Sequence, residues 1–528
     1  MKKWKNYNSK ITEQSYDAII IGSGIGGLCT AGLLSLNGKR VLVLEKHFKI
    51  GGWTHTFKRK NYEWDVGIHY IGQVSSRRSP IRRLFDLISD GNLEWSPMDS
   101  NYDRIIFPDK SYDFVAPRQQ FIEDMISYFP KEELAINKYM SLLDEVAKSS
   151  RPYFKQKAFS GILDSITYPF MTKNFFKYSD RTTYDVLSSL TSDKKLIGVL
   201  TGQWGDYGLP PEKSSFAMHA FVARHYLNGG NYPKGTSRRI AETVSHLIEK
   251  NGGSLFVNAG IKKIKIHKGR AIGVEMENGD LVRSSSIISS AGVVNTLGKL
   301  LEGYDSKRDT ISKDLKNIKQ TESYVCLHIG LNRSSKKLGL KNTNLWIYPG
   351  YDHDKSVDRF LNDFNNDFPV LYVSFPSAKD TSWDSEHPGT ATMEAITLSR
   401  WGWYKKWENL SWKRRGDEYE KAKDHLSDRI MDVIFDNVSG IRESIDYKEL
   451  SSPLTVRDLA NYSKGEMYGI DHSPKRFRQR WLRPKSAIKG LYFTGQDITT
   501  VGVSSALFSG LLTASSVLNK DLSVMIKD

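Results

Sequence analysis

Cysteine is nearly absent: Cys29 and Cys326 are the two thiols in 528 residues. They form no CxxC pair and no metal-ligand spacing, so no metal site and no disulfide framework are expected, and the expected setting is reducing and cytoplasmic. Long apolar runs are missing too. The least polar stretch, 501–518, is broken by serine and glycine and falls short of a membrane span. The basic start, MKKWKNYNSKITEQ, runs into Ser15, Tyr16 and Asp17 rather than an apolar segment, so no secretory signal is expected. Acidic residues are in deficit, 60 against 76 Lys and Arg, which leaves a net charge of +16. Such an excess suits an anionic partner. Without zinc-finger spacing, an RNA-binding aromatic motif or a long basic block, nucleic acid is not expected; a membrane surface is, with the protein lying on its cytoplasmic face. No stable protein partner is expected. Low-complexity tracts are also lacking, and 39% hydrophobic residues suffice for a large ordered core in two or three domains.

What is present is an α/β pattern. Tyr16 to Ile21 reads as a buried parallel strand, Gly24 to Asn37 as a helix stopped by Asn37-Gly38, and Arg40 to Leu44 as a second strand. A similar block starts at Thr236 with a helix whose buried face is Ile240, Val244, Leu247 and Ile248. Short strands follow at 254–257, 261–266, 271–276, 281–283 and 286–291. A third block, Leu491 to Thr494 followed by a helix from about Gly502 to Leu518, closes the chain. These blocks read as one discontinuous cofactor domain, 15–75, 230–302 and 486–520, with 76–229 and 303–485 inserted as substrate-binding, membrane-facing regions.

Gly22-Ser23-Gly24-Ile25-Gly26-Gly27 satisfies G-x-G-x-x-G between a strand and a helix. Gly22 permits the tight turn, Gly24 lets the backbone approach a pyrophosphate, and Gly27 brings helix and strand together. Glu45, followed by Lys46, stands at the end of the second strand, where an acid bonds ribose hydroxyls. The second glycine pair, Gly51-Gly52-Trp53-Thr54, is the pattern of FAD enzymes whose loop packs on the pyrophosphate and ribityl chain. No second G-x-G-x-x-G occurs, so NAD(P)H, where used, would bind transiently. Near the end, Gly495-Gln496-Asp497 offers an acid to the ribityl hydroxyls. The helix starting near Val503 could stabilise negative charge on the reduced flavin.

With GGWTHTF, EWDVGIHYIG, GGNYPKGTSRRIAE and LYFTGQDITTVGVSSALFSG, the chain resembles the phytoene dehydrogenase-related flavoproteins, in particular the retinol saturase and carotenoid isomerase branch. That resemblance implies a doubly wound Rossmann-like FAD domain of the amine oxidase and glutathione reductase type with inserted α+β regions. It also implies a peripheral membrane habit and a long apolar polyene or lipid substrate. It carries flavin contacts onto Gly22, Gly24, Gly27, Glu45, Gly52, Thr54, Ile261 through its backbone, and Asp497. Trp53 departs from the basic or small residue of related proteins. The expected reaction is saturation of a carbon–carbon double bond; isomerisation or desaturation of carotenoids or unsaturated fatty acids is the alternative, and a flavin-free prenyl- or lipid-binding role is another.

His69 and Tyr70, in the segment expected to pass the flavin, are the candidate catalytic residues. His69 would donate a proton or steady an intermediate, while Tyr70 and Tyr232 also suit a pocket wall. Two aromatic and basic stretches are expected at a membrane interface: 153–178, with Phe154, Phe159, Phe170, Phe175 and Phe176 among lysines, and 401–415, with Trp401, Trp403, Tyr404, Trp407 and Trp412.

Overall fold

A computed structural model of the chain describes residues 3–158, 161–301, 315–316 and 318–527. The expected boundary at 302/303 and Phe159 lie outside the described residues. The elements that position the site are, in chain order, β1 (Ala18–Ile21), α1 (Ile25–Leu36), β2 (Val41–Leu44), β3 (Thr56–Arg59), β4 (Tyr62–Asp65), β5 (Asn101–Ile106) and β6 (Ser111–Val115). After α2 (Glu133–Gln156), α3 (Gly161–Ser179), α4 (Phe216–Tyr226) and α5 (Arg238–Lys250) come β7 (Ser254–Phe256), β8 (Ile261–His267), β9 (Arg270–Met276), β10 (Leu281–Arg283) and β11 (Ile287–Ser289). The last elements are β12 (Ser323–Leu331), β13 (Asn344–Ile347), β14 (Leu371–Ser374), β15 (Ala391–Ser399), β16 (Ile445–Ser451), β17 (Leu491–Phe493) and α6 (Val503–Leu518).

The β-branched runs AIII and VLVL are buried throughout because they form the middle of a five-stranded parallel sheet, β7-β2-β1-β11-β17. The three sequence blocks therefore meet in one sheet, and each expected element ends within two residues of its observed bound. Helix α1 is buried on nearly every side, since it lies between that sheet, α5 and α6. Its crossing with α6 is close: a Cβ on Gly510 would stand 2.6 Å from the Cβ of Cys29. A three-stranded antiparallel sheet, β8-β9-β10, flanks this layer.

The second large sheet has seven strands in the order β16-β12-β15-β14-β13-β5-β6, and all its pairs are antiparallel except β13 with β5. Together with α2 and α4 it carries the larger of the hydrophobic cores. No helix among the described residues is long and apolar enough to cross a membrane.

The interfacial reading of the aromatic stretches needs correction. Phe175 and Phe176 are buried, and Lys157 is buried with its ammonium donating to the Leu482 carbonyl. In the second stretch Tyr404 and Trp407 pack into the core and Arg415 is buried against Asp458. Aromatic residues alternating with cations describe a core-facing helix as well as a membrane-facing one; here Phe175, Phe176, Tyr404 and Trp407 turned inward, while Phe170 and Trp412 stay exposed.

Candidate functional site

Strands β1, β11 and β17 end side by side, so Gly22, Ser290 and Gly495 gather at the carboxyl edge of the parallel sheet. Chain order reverses there, between β1 and β11, which is where α/β sheets bind ligands. Gly22 adopts φ +85, and its amide donates to the Leu44 carbonyl at 2.9 Å. Gly26 and Gly27 are required by close approach rather than by conformation. A Cβ on Gly27 would stand 2.6 Å from the Gly22 carbonyl oxygen, and one on Gly26 would stand 2.8 Å from the Gly495 backbone. Ile25 is the first residue of α1, which has no side-chain cap.

Ser23 ties this turn to the next two motifs. Its backbone N–H and its hydroxyl donate to Glu45 Oε2 at 2.8 and 2.6 Å, and its oxygen accepts the Gly51 N–H at 2.9 Å. Glu45 Oε1 accepts one amide, from His47, at 2.8 Å, and keeps capacity for a further donor. Lys46 is exposed and pairs with Glu277 at 3.2 Å. Ile261 opens β8 just beyond Ala259, whose N–H donates to the Glu45 carbonyl at 2.8 Å. Gly52 lies against the glycine turn: with φ +54, its Cβ would stand 2.9 Å from Gly24 Cα. Thr54 is buried and its hydroxyl donates to the Gly51 carbonyl at 2.8 Å.

Trp53 carries the site onward. Its ring packs on Gly67, whose Cβ would stand 2.9 Å from it, and lies 5.9 Å from the Tyr462 ring. Tyr462 also accepts from Gln496 Nε2 at 3.0 Å. Asp497 is buried; its Oδ2 accepts the Val293 N–H at 2.9 Å and its Oδ1 the Ile470 N–H at 3.3 Å. At Gly502, φ +95, the chain turns into α6 without a side-chain cap, and Ser504 Oγ is buried with no partner among the described residues.

Gly67, Ile68, His69 and Tyr70 on one side, and Gly502 to Ser505 on the other, line a cavity of about 690 Å³. Its walls include a set of aromatic side chains, among them Phe154, Phe221, Tyr226, Trp346, Tyr372 and Tyr468. Arg118, Arg151 and Arg224 lie at its rim. His69 packs edge-on to Tyr372 at 5.3 Å, and its Nδ1 lies 2.9 Å from Glu394 Oε2. Tyr70 stacks on Tyr226 at 4.1 Å, and its hydroxyl donates to Asp103 Oδ2 at 2.9 Å with Asp206 Oδ2 3.3 Å away. Tyr232 is buried behind this layer, hydrogen-bonded to Asp65.

Several groups around the cavity carry no clear sequence signal. Burial, then the charge of Asp103, pushes Asp206 well above the usual carboxylate range. Lys379 is buried; its ammonium donates to the His69 carbonyl at 3.0 Å and to Ser374 Oγ at 2.7 Å. Burial pushes it down to about 7 against the pull of Asp103, Glu394, Asp65 and Asp206. Glu394 is fully buried. It alone left a trace in the sequence, a single carboxylate in the otherwise apolar and hydroxylic strand ATMEAITLS. The network predicts the outcome of Tyr70→Phe: Asp103 loses one of its donors and Asp206 its hydroxyl partner, for a loss of about 1–3 kcal/mol in denaturant unfolding.

A family model described as an NAD(P)-binding Rossmann-like domain matches residues 20–87. The all-trans-retinol 13,14-reductase of Danio rerio is 33% identical, the match covering 96% of this chain and 87% of that protein. The chain belongs to the retinol saturase branch of the phytoene dehydrogenase-related flavoproteins. The branch extends to prolycopene isomerase 2 of an Oncidium hybrid cultivar, 26% identical over 96% of this chain and 84% of that one. Beyond the family, the cyclohexylamine oxidase of Brevibacterium oxydans shares the fold, with a TM-score of 0.61 at 15% identity, covering 96% of this chain and 99% of that one.

Proposed function

We propose that the protein is an FAD-dependent oxidoreductase that saturates one carbon–carbon double bond of a long apolar polyene. The observation that carries this reading is the aromatic cavity opening between His69 and the uncapped start of α6, at the end of a continuous line of glycine contacts from the dinucleotide turn. Its volume of about 690 Å³ falls within the range of small-molecule sites.

The residues present fit FAD. Gly22 to Gly27 with the start of α1 would hold the pyrophosphate, and Glu45 and Ile261 the adenosine half. Gly51 to Thr54 and Asp497 would hold the ribityl chain. The unpartnered Ser504 hydroxyl and the free first-turn amides of α6, from Val503 on, would face the flavin ring. Bound FAD would supply the hydride. The chain's own work is to align the polyene along the aromatic wall, exclude water, and provide a proton from His69 to the second carbon. With the hydroxyl of Tyr70 committed to Asp103, that ring serves as wall. A nicotinamide cofactor would dock transiently as the two-electron donor. The cofactor domain is assigned to 15–75, 230–302 and 486–520. A spectrum of the purified protein tests the reading: flavin bands that bleach under anaerobic dithionite and recover as an added retinoid loses a double bond support it. A retinoid isomerised with no net loss of reduced flavin would favour the isomerase alternative, and a protein that never takes up FAD would sink both.

We further assign a membrane-facing ridge to α3, where Leu163, Ile166 and Phe170 are 54, 60 and 80% exposed at helical spacing, with Lys173 and Lys177 exposed beyond them. Helix α3 packs on α2, whose Ser150, Arg151 and Phe154 line the cavity, so an apolar substrate would enter from the lipid side. Replacing Leu163, Ile166 and Phe170 with serine should weaken sedimentation with anionic vesicles by at least about tenfold. Unchanged sedimentation would remove α3 as the contact.

A further inference from the structure

Behind the cavity wall, a buried carboxylate faces two imidazoles. Glu394 on β15 is the register partner of His328 on β12, and both point to the face of the seven-stranded sheet that covers the His69 segment. Glu394 Oε2 lies 2.9 Å from His69 Nδ1, and Oε1 lies 3.7 Å from His328 Nδ1. The Glu394 side chain is wholly buried, that of His328 is 5% exposed and that of His69 is 14% exposed. Neither oxygen of Glu394, nor Nδ1 of His69, has a hydrogen-bond partner among the described residues, so the cluster is held by ion-pair contacts.

A carboxylate removed from water needs a counter-charge within reach. Here the groups in direct contact with it are imidazoles. Asp65 lies nearby, but burial together with the charge of Glu394 raises its carboxyl, so Asp65 takes up a proton first. For Glu394 itself burial works in the same direction and is outweighed by His328 and His69, which hold it below the usual range. Lys379 steadies the same segment from the other side by donating to the His69 carbonyl. Nδ1 is turned inward to Glu394, and His69 lines the cavity, which leaves Nε2 as the ring nitrogen not taken up by that contact.

We propose that Glu394 is the positioning residue of the reaction: it fixes the tautomer and aim of His69 and stabilises the imidazolium that protonates the polyene. This rests on the polyene-reduction reading. Bound and reduced, the flavin would supply a hydride to one carbon of the double bond. The π electron pair forms the second C–H bond with the proton leaving His69 Nε2, and the imidazole left behind keeps its Nδ1–H on Glu394. Solvent entering through the cavity mouth then restores the Nε2 proton. The carboxylate–imidazole contact does for His69 what an orienting acid does for any histidine that must present one particular nitrogen.

The test uses the full chain loaded with FAD, reduced anaerobically with dithionite and mixed with a retinoid. Glu394→Gln should lower the maximal rate by about 100-fold, with KM within about twofold of the parent and FAD content unchanged. Glu394→Asp, which keeps the charge but shortens the reach, should fall between. Adding Glu394→Gln to His69→Gln should cost nothing further, because the two act as one unit. In 15N-histidine NMR spectra, Glu394→Gln should shift the ring resonances of His69, assigned by their loss in His69→Gln. Losses that multiply in the double variant, or His69 resonances untouched by Glu394→Gln, would overturn the proposal. A parent protein that leaves every polyene unchanged would instead sink the functional reading, and the NMR comparison would still judge the dyad.

Discussion

Alanine at Gly52 should strip the protein of its cofactor, with FAD bound at least about tenfold more weakly than by the parent chain. Two costs coincide at that position. The backbone there has φ +54, a conformation that costs a side-chain-bearing residue about 1–2 kcal/mol. The new methyl would also stand 2.9 Å from Gly24 Cα, a backbone atom that can withdraw only by moving the dinucleotide turn itself. The change therefore bears on the surface offered to the pyrophosphate, through a contact between two glycines 28 residues apart in sequence. Gly32→Ala is the matched control. Gly32 sits within α1, and its Cβ would meet side chains at 3.5 Å, ordinary contact, so alanine should stabilise by about 0.5–1 kcal/mol and leave FAD in place. Isothermal titration of both variants with FAD decides the matter; equal affinities would show that the two glycine pairs do not jointly form the cofactor surface.

Lys379→Met should cost about 3–5 kcal/mol of folding stability, the range for removing one partner from a buried charged cluster. The ammonium holds the His69 carbonyl, Ser374 and Asn344 together, and Asp103, Asp206, Asp65 and Glu394 all surround it. Its removal leaves the His69 carbonyl, Ser374 and Asn344 without their shared donor, and takes the amine from among the buried carboxyls. The pH dependence gives a second readout. Burial lowers Lys379 from 10.5 to about 7 in the folded chain. Between those values the unfolded chain binds more protons than the folded one, so this residue's contribution to stability rises as pH climbs through that window. The variant should lose that rise. Denaturant unfolding between pH 7 and 10 measures both effects, and a variant matching the parent across the range would mean that the cluster does not depend on its cation.

The cofactor half of the molecule was legible because its determinants are local. A glycine turn, a strand end and an acid at fixed spacing define a supersecondary unit, and the run GSGIGG…LEK carries them in order. The cavity was harder to read. His69 could be named from its segment, but Glu394 and His328 reach it from two other strands, and Asp206 and Lys379 reach Tyr70 from the ends of short helices more than a hundred residues away. Packing creates those neighbourhoods, and no spacing along the chain records them. The aromatic stretches were ambiguous for the opposite reason, since a pattern was present but fitted two environments. Phe170 stayed outside while Phe175 and Phe176, a turn and more further on, were drawn into the core.

The parallel sheet also has a consequence in time. Its central strand, β1, is made first, and its edge strand, β17, near the end; 473 residues separate Ala18 from Leu491. At synthesis rates of about 5–20 residues per second, the ribosome needs roughly 25–95 s to deliver the second after the first. Through that interval the nascent dinucleotide turn is exposed without the Gly495 backbone that packs on Gly26. On the proposed assignment the growing chain would wait for its last segment before it could retain FAD, and one cut short before Leu491 would be left with a half-made cleft for the cell's quality control to remove.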